Sequence, residues 1–166
     1  MVIIMKRMIS LALVMLLALS LTACGAKAEE KTISGALPEI IDRLYDKVDV
    51  DDETRQFLKT GLMTMDVAPE DAEYYFGVSD VDFEEAVASE PLINAKAFSI
   101  CLMRVPSGTD IEALKKEIAT NVNPNKWICV GVDPSDVRVE NVGNLVLLIM
   151  ANDSEKYSEA FYALAE

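Results

Sequence analysis

The chain has 166 residues, 28 of them acidic and 15 basic, and a formal net charge of −13. That length suits one domain with its own core, and the acidic balance argues against nucleic-acid binding and against lying flat on anionic lipid. There is no histidine, which excludes serine–histidine and cysteine–histidine catalysis and zinc centres of mixed histidine and cysteine type.

Lys6 and Arg7 precede an apolar run from Met8 to Leu21. As a helix that run would span roughly 20 Å, short of the roughly 30 Å hydrocarbon core. Leu21-Thr22-Ala23-Cys24 closes it. Basic residues, an apolar stretch and small residues before a cysteine read as a lipoprotein signal peptide. Residues 1–23 are then cut off, a diacylglycerol sits on the Cys24 thiol, and 24–32 form a lipidated tether to one domain over 33–166. Two acyl chains make a stable anchor where one does not. An uncut signal anchor and a cut, unlipidated signal are the alternatives. Losing Lys6 and Arg7 takes the net charge from −13 to −15.

Within the domain, Leu37, Ile40, Ile41, Leu44 and Val48 form a stripe of helical period, predicting a helix over Ser34–Val48. A second helix is predicted from Asp51 or Asp52 to Lys59, closed by Gly61, and a short strand over Leu62–Val67. Asp49, Asp51, Asp52 and Glu53 suit a helix start, where carboxylates meet free N–H groups. Their spacing lacks the glycine and terminal glutamate of a calcium loop. Pro69 opens a short helix that Gly77 stops. Asp82–Ser89 fits either helix or strand, with strand preferred, and Glu90–Asn94 is expected as a connection.

Ala97–Val105 is predicted as a central strand because both its faces are apolar. Thr109-Asp110-Ile111-Glu112 reads as a capping box with Thr109 at the cap. The helix it starts buries Ile111, Leu114, Ile118 and Val122 and stops near Pro124; Lys126–Val130 is a last turn or short extension. Asp136–Asn141 and Leu145–Met150 are predicted to form a hairpin about Gly143-Asn144. The first strand alternates and should have one wet face; the second is apolar throughout. Asp153 is the cap candidate for a last helix burying Tyr157, Ala160, Phe161 and Leu164. The expected class is α+β: two layers, a mainly antiparallel sheet with helices packed on it, and a C-terminal order β-β-α-β-β-α after N-terminal helices.

With Cys24 committed to lipid, Cys101 and Cys129 remain. A Cys101–Cys129 disulfide and two reduced buried thiols are both open outside the cytoplasm. Trp127 is either a packing residue at the end of a helix or a ring that stacks on a ligand. No catalytic residue, metal site or cofactor is expected. The partners expected are the membrane, through the anchor, and an envelope protein or small ligand.

Tyr75-Phe76-Gly77, Pro91–Ala97 leading into Phe98–Val105, the charged helix Asp110–Ala119 and Gly143–Leu147 carry a resemblance. Over Tyr75 to Phe161 the chain resembles an uncharacterised family of small bacterial lipoproteins common in clostridia-like Gram-positive bacteria. In that family a tyrosine usually stands where Leu145 is. Trp127-Ile128-Cys129 and Asp133-Pro134 replace a tyrosine-leucine-proline type segment. The resemblance implies a lipid-anchored extracytoplasmic domain and no assigned activity. The function expected is a non-enzymatic binding or interaction domain at the cell envelope; the alternatives are a hydrolase using paired carboxylates and a small transporter substrate-binding lipoprotein.

Overall fold

A computed structural model describes residues 31–93 and 95–165. The predicted signal peptide, the Leu21-Thr22-Ala23-Cys24 motif and most of the predicted tether lie outside the described residues. Helix α1 spans Leu37–Lys47 and buries Leu37, Ile40, Ile41 and Leu44, the predicted stripe. It begins three residues later than predicted because Gly35 takes a φ of 116°, outside any helix. Helix α2 spans Asp52–Thr60, and the Asp51 carboxylate accepts from Thr54 N at 2.7 Å as its cap. Those bonds hold the Asp51 carboxyl below its ordinary 3.8. Arg55 locks the two helices by donating to the carbonyls of Tyr45 and Val48.

Five strands follow: β1 (Leu62–Asp66), β2 (Glu85–Pro91), β3 (Ser99–Arg104), β4 (Val137–Val142) and β5 (Leu145–Met150). They lie in the order β1-β2-β3-β5-β4, every neighbouring pair antiparallel. Helix α3 (Ala72–Phe76) joins β1 to β2, α4 (Ile111–Asn121) joins β3 to β4, and α5 (Ser154–Tyr162) closes the chain. The fold is α+β with the C-terminal order β-β-α-β-β-α. The preferred strand reading of 82–89 holds, but the strand is displaced toward Pro91. Glu90 and Pro91, expected in the connection, end β2, where proline's missing N–H interrupts no further ladder.

The buried side chains divide by strand alternation. Ile100 and Leu102 of β3 and Leu145, Leu147 and Ile149 of β5 pack with α1, α2 and α5. Cys101 and Met103, with Val146, Leu148 and Met150, pack with Phe76, Leu114 and Ile118 from α3 and α4. Helices therefore cover both faces, giving three layers where two were expected. The apolar-throughout sequence of β5 already required two covered faces. In β4 the alternation has a different use: Arg138 and Glu140, expected to be wet, face α5. Arg138 donates to Ser154 Oγ at 3.0 Å, while Ser158 and Tyr162 donate to the Glu140 carboxylate at 3.1 and 2.6 Å.

Two caps differ from the sequence reading. Asp110, not Thr109, caps α4, accepting from Ala113 N at 3.0 Å. Thr109 instead donates its hydroxyl to Pro106 O at 2.8 Å, tightening the turn that ends β3. Asp153 precedes α5 with a φ of 57°, and its carboxylate meets Lys156 Nζ at 3.1 Å rather than a backbone N–H. Beyond α4 the segment Asn123–Asp133 is irregular, not the helical extension considered for Lys126–Val130.

Candidate functional site

Glu90 ends β2 beside Ser99, the first residue of β3, and both are reached by Lys126 from the irregular segment after α4. Lys126 Nζ lies 2.6 Å from Glu90 Oε1, and the two side chains are only 3% and 13% exposed. Ser99 Oγ donates to the same carboxylate oxygen at 2.8 Å and lies 3.5 Å from the ammonium. Cys101 Sγ is 3.2 Å from Ser99 Oγ. Three rings surround the ammonium, with centroids 4.9 Å (Tyr74), 5.1 Å (Tyr75) and 5.6 Å (Trp127) away. A cation over aromatic faces gains attraction that grows as water is removed. The aromatic group is thus occupied by the chain's own lysine.

Lys126 forms part of the wall of an open cleft of about 770 Å³ between α3 and the end of α4. Glu70, Asp71, Glu73 and Glu117 line the cleft with Tyr74. The α3 side is fixed by Gly77, whose φ of 74° is left-handed and suits glycine. A Cβ there would lie 2.5 Å from Val122 N, so the end of α4 sits directly against it. These side chains offer carboxylates to water on one wall and one neutralised lysine on another. In sequence, Lys126, Glu90 and Ser99 carry no signal marking them as a group. Among the described residues, no set of three or more Cys, Asp or Glu side chains is arranged to hold a metal ion.

Cys101 and Cys129 are not brought together as a bridge. Both are free thiols, Cys101 fully buried in β3 and Cys129 exposed on the segment after α4. The disulfide alternative is corrected accordingly: one thiol points into the sheet core while the other faces solvent. Burial pushes the Cys101 thiol up to about 11, against the pull of Lys126 and the Ser99 hydrogen bond. A disulfide-exchange reagent should therefore modify Cys129 in the folded protein and Cys101 only after denaturant is added. Equal rates for both thiols in the folded state would contradict the burial. Trp127 is 5% exposed and packs with Phe76, Ile118 and Val122. It is a core residue here, not the ligand-stacking ring considered from sequence. Cys24, Leu21, Thr22 and Ala23 lie outside the described residues.

No family model, curated protein or solved structure matches the chain.

Proposed function

We propose that this chain is a membrane lipoprotein, anchored through a diacylglycerol on Cys24 at the extracytoplasmic face. Its folded domain acts there as a non-enzymatic binding or interaction module. The observation that carries the anchor is Leu21-Thr22-Ala23-Cys24 directly after the apolar run Met8–Leu21 and the basic pair Lys6-Arg7. Two features favour binding over turnover. The nucleophilic side chains Ser99 and Cys101 are fully buried, and the buried carboxylate beside them is paired with Lys126.

Cys24→Ala should shift the protein from the membrane to the soluble fraction, or leave it unprocessed with Met1–Ala23 still attached. Metabolic labelling with a radioactive fatty acid checks this. The wild-type chain should take up label and the variant should not; a labelled variant would rule out Cys24 as the attachment point.

A further inference from the structure

The strand register defines two ends of the sheet. Leu62, Pro91, Ser99, Met150 and Val137 lie at one, and Glu85, Arg104, Leu145 and Val142 lie at the other. The chain enters the domain at the second end. Arg104 donates to Gly35 O at 3.0 Å, and a Cβ at Gly143 would lie 3.5 Å from Lys31 O. The first end is the apolar one. Ile93 is 76% exposed, Ile128 68% and Leu92 60%, and Met63, Tyr74 and Val130 are exposed as well. Leu92 and Ile93 directly follow β2, and Met63 stands opposite Glu90. Ile128 and Val130 follow Lys126, which is bound to Glu90 and Ser99. Of the exposed large apolar side chains among the described residues, Tyr162 alone lies toward the entry end. The backbone beneath Ile128 and Val130 is held in place, because Lys126 is ion-paired and Trp127 is buried.

We propose that this end of the domain is a docking surface for an envelope polypeptide presenting an apolar segment flanked by lysine or arginine. The inference rests on the lipoprotein reading above, which places the tether at Lys31. The six residues of β3 set the apolar end roughly 17 Å from the entry end, at about 3.4 Å per residue. The chain leading from Cys24 therefore joins the domain at the end opposite the apolar one. Charge selects among occupants. A net charge near −15 repels an anionic lipid surface and a second copy alike. Glu70, Asp71 and Glu73 line one cleft with Tyr74, whose ring lies 4.9 Å from Lys126 Nζ, so basic residues beside the apolar segment would meet opposite charge there. Exposed apolar groups rimmed by polar ones are the composition of a protein contact.

The test places a photoreactive benzoylphenylalanine at Ile128 in the full-length chain, expressed in its own bacterium. A second chain carries the probe at Ser107, exposed near the entry end. A third carries it at Val130, so the result does not hang on one position. The expected result is a cross-link from 128 and 130, at least ten-fold stronger than from 107. Mass spectrometry should place it in a polypeptide segment with lysine or arginine within a few residues of an apolar side chain. Leu92→Glu with Ile93→Glu should reduce that cross-link at least ten-fold at an unchanged melting temperature. A cross-link to phospholipid, to a second copy at doubled mass or to a segment without basic residues overturns the proposal. So does equal yield from 107, or no cross-link from a chain that fractionates with the membrane. A wild-type chain in the soluble fraction overturns the anchor reading instead, and the docking inference falls with it.

Discussion

Lys126→Met should lower the unfolding free energy by about 3–5 kcal/mol, the usual loss when one partner leaves a buried ion pair. Methionine keeps most of the stem length and its contacts with the aromatic rings, so the change is chiefly one of charge. What remains is the Glu90 carboxylate, 13% exposed, with the Ser99 hydroxyl the only donor to it among the described residues. One neutral hydrogen bond does not offset the desolvation of a carboxylate. Glu90→Gln should lose less, because the stranded ammonium keeps three ring faces within 5.6 Å. The double variant Lys126→Met with Glu90→Leu should recover much of the loss, since apolar replacements of a buried pair are often neutral or better. Denaturant midpoints of wild type, Lys126→Met, Glu90→Leu and the double variant close the cycle and give the coupling. A Lys126→Met midpoint equal to wild type would show that water screens the pair, and the segment Asn123–Asp133 would then lack its main tie to the sheet.

That ion pair marks where sequence reasoning stops. Local periodicity revealed most of the fold because it reports each element's own surroundings. Five apolar residues spaced over Leu37–Val48 require a helix with one buried side. An unbroken Leu145–Met150 run requires a strand covered on both faces, and the structure gives it a central position and two helical layers. The alternation in Val137–Glu140 was equally plain, but its meaning was not. A polar strand face looks the same whether it meets water or a helix carrying Ser154, Ser158 and Tyr162. Lys126 and Glu90 are farther still from view. The two lie 36 positions apart in sequence, and only the β2–β3 register brings Glu90 beside Ser99 for Lys126 to reach. Trp127 was ambiguous for the same reason: its neighbours in space come from α3 and α4, while its neighbours in sequence are amides and a lysine.

The caps failed for a more local reason. Thr109 and Asp110 are adjacent, and either can cap a helix. The choice was made by the turn before it, where Pro106 O takes the Thr109 hydroxyl and leaves Asp110 to accept from Ala113 N. A one-residue shift of this kind moves Glu112 out of the position a capping box needs. Glu112 pairs with Lys115 at 3.3 Å instead.

Gly77→Ala should be the most damaging single methyl group in the domain, at roughly 2–5 kcal/mol. About 1–2 kcal/mol comes from holding an alanine in the left-handed region. Overpacking adds about 1–3 kcal/mol where the neighbours cannot give way. They cannot easily give way here: the new Cβ would lie 2.5 Å from Val122 N, 2.6 Å from Asn121 C and 2.7 Å from Val122 Cα. All three are backbone atoms at the end of α4, so relief requires moving a helix end rather than turning a side chain. Gly108→Ala is the informative control. Its φ of 94° is also positive, but a Cβ there meets nothing within 4 Å. It should carry the conformational cost alone, and the difference in melting temperature between the two variants isolates the steric part. The two should differ in a second way. Separating α3 from α4 opens the cleft wall that holds Tyr74 near Lys126, so Gly77→Ala should speed amide exchange in Tyr74–Val78 and Asn121–Trp127, while Gly108→Ala should leave both segments protected. If Gly77→Ala instead melts with the Gly108 variant, α3 is free to lift away from α4 and the cleft is not a fixed feature of the fold.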